Sequence, residues 1–370
     1  MASDRFYTLN YDEPAKVVEY NRGDQVREEY FNGNGLVYLK RVLGDNISAV
    51  NDVNLMGSTG SYIRLSGDGD LLRYWLLECF DLKRTDVIIS EYAFRMEPLE
   101  QVKAVTGVPV VYTLHNSHLA APFDIHSPVK PELEQTFVNA HKMSALVVLT
   151  PQQRLDIQKR WPLIDNLHVI PHAGPALEQH DSEASDYREP GLVVLVGRLS
   201  DIKGQKRVVE QFESVIERVE HARLEIWGRG PDEAALEALI ADRGLGDRVR
   251  VCGFTLDPRS VYRRAEVALF PSKHEGQPLS LMEAMQEGSV PVCFDFKYGA
   301  RLMVDDMVNG VIVERGDMQD LLDSAVVLLQ NPDLTASMSL RAIEKISEFS
   351  PERLVRDWSE LFADLHDGAI

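Results

Sequence analysis

The sequence predicts an α/β protein in which two doubly wound parallel sheets face a cleft, preceded by an antiparallel β-meander. Three observations carry this. Short apolar runs alternate with amphipathic helical stretches through most of the chain, the pattern of buried parallel strands with crossover helices. A polar, acidic stretch without periodicity, Gly174 to Pro190, divides that alternation into two sets. The opening residues differ from both sets, with strand-like composition and Asn-Gly turns.

In the opening region, Ala15 to Tyr20 and Val26 to Phe31 read as strands. Asn32-Gly33-Asn34-Gly35 is a hairpin signal before Leu36-Val37-Tyr38-Leu39, and Tyr62-Ile63-Arg64-Leu65 suggests a further strand. From Leu71 the pattern changes. Leu71 to Leu77 reads as a helix, Val87 to Ser90 as a strand, Pro98 to Val105 as a helix and Val108 to Leu114 as the next strand. A helix follows near Leu133 to Met143, then a strand at Ala145 to Leu149. Thr150 caps the next helix, Pro151 sits in its first turn, and a short strand ends at Ile170. Beyond the linker, strands are expected near Leu192, Leu224, Val249, Val267, Val290 and Val311, with helices between them. Two amphipathic helices, Pro332 to Phe349 and Pro351 to Leu365, close the chain. The expected domains are residues 1–67, 68–187 and 188–350, with a final helix over 351–370 that crosses back to the 68–187 domain.

The 370 residues and 44% hydrophobic content suffice for two ordinary cores. A net charge of −19 argues against a nucleic-acid binder. The three cysteines, Cys79, Cys252 and Cys293, have no paired spacing, which points to a reducing compartment and away from disulfides or a zinc site. The N-terminus has neither the basic start nor the apolar core of a signal peptide, and no apolar run approaches the ~18 residues of a transmembrane helix. A cytoplasmic protein is expected.

The stretch Pro271 to Met285 carries the strongest chemical signal. It follows the apolar run Val267 to Phe270 and leads through Gly276-Gln277-Pro278 into a helix read as starting at Ser280, a good N-cap residue. Glu275 lies in the loop and Glu283 about one turn into the helix. A helix N-terminus suits an anion, and flanking acids suit sugar hydroxyls. Upstream, Gly197-Arg198 follows a strand, with Lys203 near the next helix start. Arg offers two donors to phosphate oxygens and Lys a point charge, so the pair suits a diphosphate. Gly228-Arg229-Gly230 and Gly253-Phe254 are weaker turn signals that let backbone approach a base or ribose. In the first set, His115 stands at a strand's carboxyl end, where it would face the cleft, and Pro171-His172 is a weaker signal of the same kind. No Asp-x-Asp sits in a suitable turn, no metal-ligand spacing occurs and no phosphate-loop motif is present, so no metal is expected.

These residues resemble a family. The Gly197-Arg198…Lys203 turn, the Gly228-x-Gly230 turn and Glu275/Glu283 within Glu-Gly-x-x-Leu-Ser-x-x-Glu-Ala-Met are similar to retaining glycosyltransferases of family 4, with the GT-B fold of two Rossmann-like domains. Phe294 to Gly299, Leu114-His115-Asn116 and Tyr30-Phe31-Asn32-x-Asn34-Gly35 resemble, more narrowly, bacterial poly(glycerol- or ribitol-phosphate) α-glycosyltransferases of wall teichoic acid and glycosyltransferases of serine-rich adhesins. The resemblance implies a UDP-sugar donor, UDP-glucose or UDP-N-acetylglucosamine, and no cofactor. Arg198 and Lys203 would hold the diphosphate, Glu283 the ribose and Glu275 the sugar, with His115 lining the reaction centre. Gly228, Gly230 and Phe254 would adjoin the nucleotide. The N–H groups of Leu279 and Ser280 would assist, which Pro278 cannot do.

The implied acceptor is a polyol-phosphate polymer, with Ser/Thr hydroxyls of a surface protein and a non-catalytic partner subunit as alternatives. No nucleic-acid partner is expected. Peripheral association with the inner membrane face and a homo-oligomer formed through the meander are the other implied contacts. A polyanionic acceptor calls for a basic patch, for which Lys40-Arg41 and Arg154, Lys159 and Arg160 are candidates. The pattern departs from the family at the start, where a strand, a glycine-rich loop and a helix usually precede any meander. Gly57-Ser58-Thr59-Gly60 is the one glycine-rich stretch there and reads as a hairpin turn, so the acceptor-side domain is expected to be reduced or shortened.

Overall fold

A computed structural model describes residues 4–8, 16–21, 24–31, 37–43, 50–56, 62–83, 86–91, 96–174 and 188–367, with side chains from Ile63 onward except Cys79. The Asn32–Gly35 hairpin, the Gly57–Gly60 turn, most of the linker and the side chains of Lys40 and Arg41 lie outside that description. The chain divides into two compact units, Met1–Val111 and Tyr112–Ile370.

In the first unit, β1 (Asp4–Thr8), β2 (Lys16–Asn21), β3 (Asp24–Phe31), β4 (Val37–Leu43), β5 (Val50–Met56) and β6 (Tyr62–Leu65) pair antiparallel in chain order. Two helices, α1 (Asp68–Cys79) and α2 (Met96–Thr106), flank β7 (Ile88–Ser90). Helix α2 buries Met96, Leu99 and Val102, spaced three apart on one face.

The cut between the units passes through β8 (Val110–Leu114), every residue of which is buried. After it come α3 (Pro131–Val138), β9 (Ala145–Val148), α4 (Pro151–Arg160) and β10 (Leu167–Val169), and the sheet order is β10-β9-β8-β7. The cap expected at α4 is present: the Gln153 N–H donates to Thr150 Oγ1 at 3.1 Å. Helix α3 stops short of the expected Met143. Asn139 ends it, its N–H and its side-chain Nδ2 both donating to the Gln135 carbonyl at 3.0 Å, and a short 3₁₀ turn continues to Lys142.

The second alternating set runs β11 (Leu192–Val196), α5 (Gln205–Gln211), α6 (Glu213–Arg218), β12 (Arg223–Trp227), α7 (Glu233–Asp242), β13 (Val249–Gly253), α8 (Pro258–Arg264), β14 (Val267–Phe270), α9 (Leu279–Gln286), β15 (Val290–Phe294), α10 (Ala300–Met303), β16 (Val311–Val313), α11 (Met318–Gln330), α12 (Pro332–Ile346) and α13 (Pro351–Asp367). Its six strands are parallel in the order β13-β12-β11-β14-β15-β16. This is a doubly wound, Rossmann-like sheet whose order reverses between β11 and β14, and ligands bind such sheets at the carboxyl ends beside the switch point. All six expected strands are present, since a strand covered on both faces reads as a continuous apolar run.

One local expectation is corrected. Ser280 is not the N-cap of α9, which begins at Leu279 after Pro278 (φ −71°, ψ 116°) with no side-chain cap. Proline's ring presets the turn, and the Leu281 N–H donates to the Pro278 carbonyl at 3.1 Å, so Ser280 falls inside the first turn. Among the described residues no helix is long and apolar enough to cross a membrane.

Candidate functional site

The turns that end β11, β12 and β13 are stacked backbone on backbone. The Gly197 N–H donates to the Trp227 carbonyl at 2.9 Å, the Leu199 N–H to the Arg229 carbonyl at 3.0 Å and the Gly228 N–H to the Gly253 carbonyl at 2.7 Å. A Cβ on Gly228 would meet the Gly197 carbonyl oxygen at 1.9 Å, and one on Gly230 the Leu199 oxygen at 2.1 Å. Those two glycines are therefore required by the neighbouring turn itself. Arg198 is exposed at the edge of this stack, and among the described residues its guanidinium has no hydrogen-bond partner, while its carbonyl accepts from Gln205 Nε2 at 3.0 Å. Phe254 is 59% exposed beside the third turn.

Gly204 adopts a left-handed φ of +77° to start α5 and lies against the Pro271 carbonyl, where a Cβ would approach to 2.6 Å. This turn delivers Lys203 to the β14 loop. Lys203 Nζ donates to Glu275 Oε1 at 2.5 Å, with both groups largely withdrawn from water, so a residue expected for phosphate and one expected for sugar meet directly. The Glu275 backbone is fixed on both sides, its N–H donating to the Lys297 carbonyl at 3.1 Å and its carbonyl accepting from the Tyr298 N–H at 2.6 Å.

The loop then crosses to the end of β8. A Cβ on Gly276 would come within 2.1 Å of the His115 carbonyl oxygen, so only glycine permits this approach. His115 is exposed, and its ring stacks on His172 with centroids 5.2 Å apart and Nδ1 3.3 Å from His172 Nε2. The His172 N–H donates to Gln277 Oε1 at 2.7 Å. Next to His115, Asn116 Oδ1 lies 3.3 Å from His274 Nδ1. Burial lowers the pKa of His274, with the positive charge of Lys130 acting the same way.

Leu279 and Ser280 form the first turn of α9, where N–H groups have no intrahelical acceptor. Glu283 lies farther along α9. Burial raises its carboxyl pKa, opposed by Arg259, and Tyr262, pushed well up by burial and then by Glu283, lies beside it.

Behind the loop a polar seam joins α4 to the turn after β15. Asp156 is buried, bonds Lys297 Nζ, and accepts from Tyr298 Oη at 3.0 Å and Gln152 Nε2 at 2.8 Å. Tyr298 stacks on His118 with centroids 5.8 Å apart. A cavity of about 410 Å³ opens beside this seam, edged by Thr150, Gln152, Tyr298 and Gly299.

The structure thus gathers Arg198, Lys203, Glu275, Glu283, Leu279, Ser280 and His115 around one switch point, with Gly228, Gly230 and Phe254 on the adjoining turns. Gln277 and the seam around Asp156 escaped the sequence reading, and His172 was undervalued there. His172 is 57 residues from His115, and Gln277 is 105 from His172, so spacing carried no signal of either contact. Of the surface cations considered, Arg154, Lys159 and Arg160 are exposed on α4, and Arg160 Nη1 donates to the Ser127 carbonyl at 2.9 Å.

Residues 178–345, which hold most of the second alternating set, match the family model described as "Glycosyl transferases group 1". The chain is 28% identical over 257 residues to the poly(ribitol-phosphate) alpha-N-acetylglucosaminyltransferase of Staphylococcus aureus, covering 68% of this chain and 50% of the relative. It is 25% identical over 347 residues to the poly(glycerol-phosphate) alpha-glucosyltransferase of Bacillus subtilis, covering 90% of this chain and 49% of the relative. It therefore spans about half the length of these curated relatives. A crystal structure of S. aureus TarM with UDP, alpha-GlcNAc-glycerol and fondaparinux superposes with a TM-score of 0.79 at 21% identity, over 97% of this chain and 75% of that one. The two Rossmann-like halves match that GT-B architecture.

Proposed function

We propose that the chain is a retaining, metal-independent glycosyltransferase that moves glucose or N-acetylglucosamine from a UDP-sugar to a hydroxyl of a polyol-phosphate polymer such as wall teichoic acid. The observation that carries this is the Lys203–Glu275 contact of 2.5 Å at the switch point, with Gly276 pressed on the His115 carbonyl. It brings together the residues that this reading assigns to the phosphate, to the sugar and to the opposite wall. The similarity to two polyol-phosphate glycosyltransferases favours this acceptor class.

In this reading the diphosphate arrives beside Arg198, whose guanidinium already faces solvent, and draws Lys203 from Glu275 toward its oxygens. Both cations then neutralise the negative charge that grows on the leaving UDP. Glu275, released from the lysine, accepts from sugar hydroxyls and opposes the positive charge developing at the anomeric carbon. Glu283 accepts from the ribose hydroxyls, the N–H groups of Leu279 and Ser280 face the phosphate or sugar, and the turns at Gly228, Gly230 and Phe254 border the base. The acceptor oxygen bonds to the anomeric carbon on the face that the phosphate oxygen leaves, and its proton passes to that departing oxygen. His115, steadied by His172, lines the acceptor side. The donor is itself a substrate, and no separate cofactor takes part.

The same proposal divides the chain into a meander (1–67) for assembly or acceptor presentation, an acceptor-side domain (68–187), a nucleotide-sugar domain (188–350) and a closing helix (351–370) that returns to the acceptor side. The effect of Asp364, on that helix, upon His168 of β10 supports the return. The working location is the cytoplasm at the inner membrane face.

The test is UDP release from UDP-glucose and UDP-N-acetylglucosamine with a glycerol-phosphate or ribitol-phosphate oligomer as acceptor. Glu275→Ala is expected to lower turnover by about 10²–10³, and a chelator to leave the wild-type rate unchanged. Unaltered turnover in Glu275→Ala refutes the assignment. Preference for a Ser-rich peptide over the oligomer would move the acceptor to protein hydroxyls.

A further inference from the structure

A second, smaller cavity of about 250 Å³ lies across the switch point from the nucleotide turns, lined by Pro122, Phe123, Arg207, Lys273, Phe294, Arg315 and Gly316. Three of these side chains are cationic and none is acidic. Their existing bonds leave donors unused. Arg207 Nη2 donates to the Pro271 carbonyl at 3.1 Å, yet its Nε is buried with no partner among the described residues. Arg315 Nη1 donates to the Phe123 carbonyl at 3.2 Å, one of five N–H groups on that guanidinium. Lys273 pairs with Asp201, which is 79% exposed, and a pair of that kind is weak and readily exchanged. Asp201, whose carboxyl pKa is held down first by Lys273 and then by Arg207, is an anion these cations already share, and its exposure leaves the inward donors available to a second one.

The cavity borders the reaction centre. Lys273 stands two residues before Glu275, Arg207 lies one helical turn past Lys203, and the Phe123 ring packs on His274 at 4.2 Å. Sheet order separates it from the nucleotide turns. Those end β11, β12 and β13, whereas Lys273, Phe294 and Arg315 follow or end β14, β15 and β16. Its volume falls below the ~300–1,000 Å³ of sites that enclose a whole drug-sized ligand, so it fits a single group.

We propose that Arg207, Lys273 and Arg315 form an anion subsite that holds a phosphodiester of the polyol-phosphate acceptor beside the repeat being glycosylated. The choice of acceptor phosphate rests on the function proposed above. Arg favours phosphate because its planar donors match two oxygens at once. The subsite also answers how a chain of net charge −19 receives a polyanion: the required cations are local and come from three separate elements.

The test uses the full chain, with Lys273→Gln/Arg315→Gln compared with wild type on a glycerol-phosphate oligomer and on free glycerol. The KM for the oligomer is expected to rise about 30-fold in the double variant, that for glycerol to move far less, and UDP affinity by calorimetry to stay the same. Lys273→Arg should restore most of the loss. Equal changes for oligomer and glycerol overturn the subsite. If Arg315→Gln lowers the melting temperature through its lost bond to Phe123, Lys273→Gln alone should still raise the oligomer KM about fivefold, and no rise overturns the subsite. If wild type glycosylates no polyol-phosphate, the function reading fails, and calorimetry with the oligomer then decides the subsite: binding lost in the double variant supports it, and equal or absent binding overturns it. Inorganic phosphate binding as tightly as the oligomer, with both lost in the variant, would assign the site to free phosphate and overturn the acceptor assignment.

Discussion

The two halves that meet at the switch point build their share of the site differently. In the second alternating set, each candidate residue sits within a few positions of the strand that carries it: Arg198 after β11, Gly228 after β12, Phe254 after β13 and Glu275 after β14. Glycine turns stacked backbone on backbone hold those positions, so the geometry is set locally and reinforced by a buried six-stranded sheet. The opposite wall is assembled from residues far apart in the chain. His115 and His172 stack on each other, and Gln277 reaches over to brace His172. A site written into consecutive strand ends tolerates little change, whereas one assembled by long-range side-chain contacts can be altered without disturbing the sheet. The comparison teaches where chemistry and where acceptor choice should reside.

The largest expected effect tests that division. Lys203→Ala and Arg198→Ala should each lower turnover by about 10²–10³, because in the proposed function each removes a charge acting on the departing phosphate. His115→Ala should cost no more than about tenfold. Steady-state kinetics of the three variants decide it, and an equal loss at His115 would erase the distinction between the halves.

This difference also governs what could be read from the sequence. All six strands of the nucleotide-side sheet were legible, since parallel strands covered on both faces are uninterrupted apolar runs. The placement of Arg198, Lys203 and Glu275 in the turns after strands, and of Glu283 on the next helix, was legible too, because position beside a strand end is a local property. The cap of α9 lies two residues earlier than its sequence suggests: Ser280 looks like a cap, but Pro278 occupies the cap position and has already set the turn. Helix α3 was drawn too long because its apolar periodicity runs on past Asn139, whose side chain competes for the helix's own carbonyl. The Asp156–Tyr298 bond joins residues 142 apart, and no local pattern announces such a pairing. The cations around the smaller cavity were missed for the same reason: Arg207, Lys273 and Arg315 converge only once α5 and the turns after β14 and β16 come together.

The seam behind the Glu275 loop offers the next test. Asp156 belongs to α4 of the first alternating set, while Lys297 and Tyr298 belong to the turn that clamps the Glu275 backbone. Asp156→Ala leaves a buried phenol without its acceptor and a lysine without its counter-charge, and should cost about 3 kcal/mol of stability. If the seam also positions Glu275, turnover should fall more than UDP affinity does. Melting curves and kinetics on the same preparation check both parts. Unchanged melting would mean that the halves are held together elsewhere.

The smallest effect concerns His118, which lies buried on the acceptor side against Tyr298, Phe137 and Trp161. Burial pushes its pKa down from 6.5 to about 4, with Asp156 opposing the shift. A base whose folded pKa lies below its unfolded value binds fewer protons when folded. Stability is therefore full above pH 6.5 and declines as pH falls toward 4, where the folded protein also takes up the proton. At pH 5 the loss from this group comes to about 2 kcal/mol by linkage. His118→Phe keeps an aromatic ring against Tyr298 and removes the titration. Its stability near neutrality should stay within about 1 kcal/mol of wild type, while the decline between pH 6.5 and pH 4 becomes shallower. Urea unfolding at pH 7 and pH 5 measures the difference. An identical decline in the variant would place the acid sensitivity outside His118.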